Sequence, residues 1–220
     1  MKLFLVRHGE TNWLLEGRLQ GRSGVELNET GKKQAQAAAD YFKAMKVCRL
    51  YGSELPRARE TAHFISRACR LSLEEDARLN EIYFGDWEGL PHQTIQNQYP
   101  ELYRNWMELK ADFSAPGGET VQVVLERIRS FFAELRHLSE TVIAVSHGGP
   151  IRLLLLELLG EPLHKFRSLP IEPGSVTLVQ NGSASFKIVK IHVETGAETP
   201  IGTFLKPTQK MVQTTGATIK

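Results

Sequence analysis

Two histidines in this chain each close a short apolar run and open a glycine step. Lys2 to Val6 leads into Arg7-His8-Gly9-Glu10-Thr11, and Thr141 to Val145 leads into Ser146-His147-Gly148-Gly149-Pro150-Ile151-Arg152. Runs of that length read as buried strands. The strand ends of an open α/β sheet are where ligands bind, so each run delivers an imidazole to such an edge, the first with an arginine beside it. A neutral imidazole is available as a nucleophile near neutral pH, and an arginine fork matches the oxygens of a phosphate. The chemistry these types suit is phosphoryl transfer, which needs a nucleophile, cations around the equatorial oxygens and an acid for the leaving oxygen.

Two further segments supply the missing parts. Ser53-Glu54-Leu55-Pro56-Arg57-Ala58-Arg59-Glu60-Thr61-Ala62 follows the apolar run from Val47 to Tyr51. Pro56 suits the first turn of a helix, which puts Arg57 at a helix start just past a strand. The segment Leu79-Asn80-Glu81-Ile82-Tyr83-Phe84-Gly85-Asp86-Trp87-Glu88-Gly89 brings carboxylates among apolar neighbours, a setting that favours a protonated acid. Composition alone does not choose among Glu75, Asp76, Glu81, Asp86 and Glu88.

In order and spacing, these four segments resemble the histidine phosphatase superfamily, whose fold is shared with cofactor-dependent phosphoglycerate mutases. The resemblance runs from Met1 to about Gln180. It implies that His8 carries the phosphoryl group, that Arg7 and Arg57 grip its oxygens, that a protonated His147 is a second phosphate ligand, and that Glu81 is the acid. It also implies that Thr11, Gln20, Gly21 and the backbone at Gly148 contact the phosphate or shape its loop. To stay neutral and oriented, His8 needs its other ring nitrogen to donate a hydrogen bond, most simply to a backbone carbonyl. Arg59, two positions along the helix from Arg57, is expected to point elsewhere; Asp86 and Glu88 are expected in loop or surface roles. Leu14 stands where the family usually has asparagine, and Asn12 is not expected to replace it. Gly24 and Glu26 also depart from the common pattern.

The Gly85–Leu90, Tyr99–Glu101, Pro116–Glu119 and His147–Arg152 segments look like those of small bacterial phosphatases, including the α-ribazole and broad-specificity types. The expectation is therefore hydrolysis of a small phosphorylated metabolite through a phosphohistidine, with no cofactor and no metal. A phosphoglycerate mutase is the alternative, and a non-catalytic phosphoryl-binding protein the second. A mutase must anchor a second anionic group, and between Glu81 and Gly118 the strong cations are only Arg104 and Lys110.

The rest of the chain must hold these segments in place. Its 220 residues and 41% hydrophobic content suit one large domain with a real core. A net charge of +2 gives no argument for nucleic acid or membrane partners. No run spans a bilayer and the N-terminus lacks a signal-peptide pattern. Cys48 and Cys69, without metal spacing, are expected as buried free thiols of a cytoplasmic protein; a homodimer is compatible with the sequence. Helices are expected near Glu29–Met45 (N-cap Asn28), Pro56–Cys69, Glu119–Leu138 and Pro150–Leu159, with Gly160 closing the last and Pro91 and Pro100 opening short ones. Strands are expected at Lys2–Val6, Val47–Gly52 and Thr141–Val145, with a hairpin formed by Ser175–Val179 and Ser185–Val193 around Asn181-Gly182. This alternation predicts a three-layer α/β/α sandwich on a mainly parallel sheet: one domain over 1–194, with 80–118 as a substrate-facing insertion. Residues 195–220 show no periodicity and read as a flexible tail.

Overall fold

Burial on both faces dictates how the first strand sits. In β1 (Lys2–Arg7), Leu3 and Leu5 face one apolar layer and Phe4 and Val6 the other, so β1 has to lie inside the sheet. The computed structural model describes residues 1–182 and 186–201. After β1 come a one-turn helix α1 (Asn12–Leu15) and α2 (Glu29–Phe42), which opens on Asn28, whose side chain accepts from the Gly31 amide. β2 (Arg49–Gly52) feeds α3 (Pro56–Cys69), with Pro56 in its first turn as expected. β3 (Leu73–Glu75) escapes sequence reading because its three residues include two glutamates and offer no alternation. The chain continues through α4 (His92–Gln98), α5 (Pro100–Glu108), α6 (Val121–Leu135), β4 (Thr141–Ser146) and α7 (Gly148–Leu159). It then forms β5 (Val176–Asn181), β6 (Phe186–His192) and β7 (Ala197–Pro200).

The seven strands form one sheet in the order β3-β2-β4-β1-β5-β6-β7. β3, β2, β4 and β1 pair in parallel, and β5, β6 and β7 extend the sheet in antiparallel fashion. Apolar positions of α2 and α3 pack on one face, and those of α6 and α7 on the other. This is the expected three-layer α/β sandwich. A third apolar cluster around Trp87, Ile95, Trp106 and Phe113 gives the 80–118 region a small core of its own against α6 and Leu153 of α7.

Helix ends shift for local reasons. α6 begins at Val121 because the Thr120 hydroxyl accepts from the Val123 amide. α7 starts two residues ahead of Pro150 and ends on Gly160 in the left-handed region.

Two expectations are corrected. Residues 197–200 form β7 on the edge of the sheet, paired to β6 from Val189↔Pro200 to His192↔Ala197, and Ile201 is fully buried. This strand is invisible in the sequence because its own side chains are mostly polar; the ladder bonds are backbone bonds. The expectation for 202–220 lies outside the described residues. Neither cysteine is fully buried: Cys48 is exposed and Cys69 half-buried, both as free thiols. Cys48 precedes β2 at the sheet's far end, where its amide bonds Thr141 and its side chain meets solvent.

Candidate active site

Parallel pairing of β1, β4 and β2 brings their C-terminal ends to one edge. The register sets Arg7 beside Ser146 and Gly52 beside Val145. The ladder runs one step further through His8 N–H to Ser146 O and Ser53 N–H to Val145 O, each near 3.0 Å. His8 and His147, distant in sequence, therefore have ring centroids 5.0 Å apart.

His8 is almost completely buried. Its Nδ1 lies 2.7 Å from Gly9 O, and a carbonyl can only accept, so Nδ1 carries the hydrogen. Nε2 then holds the lone pair, and it accepts from Arg57 Nε at 3.2 Å. Burial, then Arg57 and Arg7, push the His8 imidazolium well below the ordinary range, against a smaller pull from the Gly9 bond. The ring is neutral at neutral pH, with its nucleophilic nitrogen turned toward the cations.

Arg57 is fully buried at the start of α3, and its other nitrogens donate to Ser23 O (3.1 Å) and Gly21 O (2.7 Å). Burial lowers its pKa to about 10, leaving it a cation. Glu88 shapes the loop it holds, accepting from the Arg22 amide, the Ser23 hydroxyl and the Phe84 amide. At φ +50, Gly21 adopts a left-handed turn in which a Cβ would collide with the Glu88 carboxylate. Arg7 donates from Nη1 to Ile171 O at 2.7 Å, and its pKa falls to about 10 chiefly through burial. Its buried Nε has no partner among the described residues.

His147 is oriented by a relay. Asn80 Nδ2 donates to Glu54 Oε2 (2.9 Å), so Asn80 Oδ1 faces Ser53 and accepts from its hydroxyl (2.7 Å) and from the Glu54 amide (3.0 Å). With its one hydrogen given to Asn80, Ser53 Oγ must accept at its 2.7 Å contact with His147 Nε2. The hydrogen therefore sits on Nε2, and Nδ1, buried and without a partner among the described residues, is left for a ligand. Burial, Arg57, His8 and Arg7 hold His147 well below its usual pKa. The charged His147 expected from the sequence thus needs an anion beside it.

Glu81 stands above this cradle. Its Oε1 accepts from the Ile82 amide (3.0 Å) and its Oε2 from the Gly149 amide (3.4 Å). Gly148 and Gly149 are obligatory for close approach: a Cβ on the first would meet the Arg152 and Arg7 guanidinium groups, and one on the second would strike Glu81 and Ile82. Arg127 of α6 fixes the Glu81 backbone, donating to Glu81 O (3.1 Å) and Arg78 O (2.7 Å) while paired to Glu119 at 2.9 Å. Beyond Glu81 opens a cavity of about 200 Å³, walled by Leu14, Ile82, Phe84, Trp106 and Phe166 and edged by Arg7, Arg18, His92 and Arg152. Among the described residues, no three His, Cys, Asp or Glu side chains assemble as metal ligands, and no helix is long and apolar enough to cross a membrane.

Residues 3–194 match the model of the histidine phosphatase superfamily (branch 1). The chain belongs to that superfamily. It is 34% identical over 195 residues to phosphoserine phosphatase 1 of Hydrogenobacter thermophilus, covering 88% of this chain and 92% of that one. It is 37% identical over 158 residues to phosphoglycerate mutase-like protein 4 of Arabidopsis thaliana, covering 70% and 69%. Among solved structures, mycobacterial glucosyl-3-phosphoglycerate phosphatase in complex with VO3 superimposes with a TM-score of 0.76 at 32% identity, covering 85% and 96%.

The superfamily pattern picked out of the sequence falls together in space: Arg7, His8, Arg57, Glu81, His147 and Gly148 all reach the same strand edge. Thr11 bonds within the loop, the second of the two roles the resemblance implies. Its hydroxyl donates to Gln20 Oε1 (2.9 Å) and accepts from the Leu14 amide (3.2 Å), so it caps α1 and turns the Gln20 Nε2 donor away from itself. Leu14 walls the cavity, and Asn12, exposed and near Asn28, does not take its place. Arg59 faces Glu75 at the surface, as expected. Glu88 organises the 20–23 loop, and Asp86 is exposed. Arg104 and Lys110 are exposed and pair with Glu101 and Glu108; the cavity's cations come from other segments. Ser53, Asn80, Arg127 and Arg152 went unassigned in the sequence. Only the sheet order brings the first two to His147.

Proposed function

We propose that the chain hydrolyses phosphomonoesters of small metabolites in two displacements at His8. The reading is carried by one observation: the Gly9 carbonyl fixes His8 as the tautomer whose free lone pair, on Nε2, faces Arg57, with His147 beside it. In the first displacement Nε2 forms a bond to phosphorus while the P–O ester bond breaks. The leaving oxygen takes the proton of Glu81 in its acid form. Arg7 and Arg57 hold the equatorial oxygens, the Gln20 amide and the α7 amide of Gly148 add donors, and His147 takes a proton from solvent as the dianion binds and donates it as a hydrogen bond. In the second, the Glu81 carboxylate accepts a proton from water as its oxygen bonds to phosphorus. The N–P bond breaks, and inorganic phosphate and neutral His8 are left.

The charge in the cradle belongs to fixed arginines, so activity is expected to persist in EDTA. A cytoplasmic setting is part of the same proposal and rests on two unpaired cysteines. Phosphate release and isomerisation of 3-phosphoglycerate, primed with 2,3-bisphosphoglycerate and followed by coupled enolase, test the reaction. Release should exceed isomerisation. Isomerisation faster than release would make the protein a mutase, and neither reaction with any ester would leave it a phosphoryl-binding protein.

A further inference from the structure

Arg152 sits on the second turn of α7, and the proposed mechanism does not use it. Its Nε donates to Leu169 O (3.0 Å) and its Nη2 to Ile171 O (3.3 Å), and the Phe166 ring lies 5.5 Å from its Cζ. No carboxylate of the described residues comes within ion-pair distance of it, and its Nη1 has no hydrogen-bond partner among them. Two carbonyls and a ring therefore hold the fork in one orientation at the cavity edge, opposite the apolar wall of Leu14, Ile82 and Phe84.

Charge accounting shows what it lacks. Arg7 and Arg57 serve the phosphoryl group. Arg18 is already paired with Glu16 at 2.6 Å and donates to Gly89 O. The fields of Glu81 and, less strongly, Glu172 reach Arg152 without direct contact, and Glu172 is paired with Lys190 at 2.7 Å. Glu81 is committed to the leaving oxygen. His92 stacks on Trp106, and burial and the nearby Arg167 lower its pKa, so it adds a neutral hydrogen-bonding ring and no counter-charge. A largely buried guanidinium that no carboxylate of the described residues touches directly is costly to maintain, and a planar donor fork is best met by a carboxylate. The cavity, about 200 Å³ and open to solvent on one side, is smaller than one for a drug-sized ligand and suits an alcohol of a few carbons.

Resting on the phosphatase reading, we propose that Arg152 binds a carboxylate of the leaving alcohol. The preferred substrates are then phosphomonoesters of short hydroxy acids, with the acid group a few bonds from the ester oxygen. Arg152 is a specificity residue, acting on the alcohol and not on the phosphoryl group.

Matched substrates test this: phosphoglycolate against ethyl phosphate, and 3-phosphoglycerate against glycerol 3-phosphate. The wild type should favour the carboxylated member of each pair by ~10-fold or more in kcat/KM. Arg152→Gln should collapse that ratio toward one, and Arg152→Lys should restore part of it. Because the ratio is taken within one preparation, partial misfolding cancels. Phosphate release without preference in the wild type would overturn the proposal and leave the phosphatase reading intact. So would an equal loss on both members in Arg152→Gln accompanied by weaker inhibition by inorganic phosphate, since Arg152 would then hold the phosphoryl group. If no ester releases phosphate, the phosphatase reading itself fails.

Discussion

In the cradle made by His8, Arg57 and His147, every side chain is buried and, among the described residues, every ring or guanidinium nitrogen but His147 Nδ1 has a partner. The cavity above it is built the other way. Its walls come from the α1 loop, the Glu81–Phe84 strip, α4, α5, α7 and the turn at Phe166, and Arg152 keeps a donor unused among the described residues. The cradle is held by backbone carbonyls and ladder bonds of the parallel sheet, which few substitutions elsewhere can shift. The cavity is lined by side chains from several separate segments, among them Ile82, Phe84 and Trp106, which share a small apolar core of their own. On the proposed mechanism the reaction class belongs to the cradle and substrate choice to the cavity, and the two should respond separately to mutation.

The sharpest break should come at Arg57. Its rigid fork contacts His8, Gly21 and Ser23 together, which lysine cannot do, so Arg57→Lys should lower kcat/KM by roughly 10²–10³-fold on every substrate. A loss confined to particular alcohols would place Arg57 with the cavity. Glu81 lies on the boundary. Glu81→Gln should slow an alkyl phosphate by about 10²-fold or more and an activated aryl phosphate much less, because the aryl oxygen leaves without a proton. Equal loss on both, in a protein folded by circular dichroism, would move the acid to another residue.

Ser53 offers a smaller effect inside the cradle. Ser53→Ala removes the acceptor that fixes His147 Nε2–H, and should weaken inhibition by inorganic phosphate by ~10-fold. Ser53→Thr keeps the hydroxyl and should recover most of it. No change in either variant would remove the Glu54–Asn80–Ser53 relay from the site.

The smallest effect concerns stability. His8 and His147 have folded pKa values well below the ordinary imidazole value. As pH falls below about 6.5, the unfolded chain binds protons that the folded chain refuses, and each ring then costs up to ~1.4 kcal/mol per pH unit. His8→Asn should flatten the fall of thermal stability between about pH 6.5 and 5, measured against the wild type in phosphate-free buffer. An unchanged slope would mean that His8 titrates normally in the folded protein.

The same contrast explains what could be read from the sequence. Asn28 at a helix start, Pro56 ahead of Arg57 and Gly160 at a helix end are local signals, and each appears where the chain indicates. Apolar runs of β1 and β4 carry His8 and His147 to one edge because parallel pairing aligns strand ends. The Ser53–His147 contact joins residues 94 positions apart, and no local pattern marks it. Arg127 follows the apolar positions of α6 and looks like a solvated charge until Glu81 is folded against it. β7 stayed hidden because its polar side chains carry no alternation, and Arg152 because its meaning depends on the folded surroundings, in which no carboxylate of the described residues touches it.

The most direct test of the account is to look for the phosphoryl group on His8. Turnover of a labelled phosphomonoester, quenched rapidly without acid, should trap a phosphoprotein that is labile in acid and stable in alkali. Peptide mapping should place the label on His8, and His8→Ala should abolish both label and turnover. Full activity in His8→Ala, or a label on another residue, would contradict the two-step mechanism.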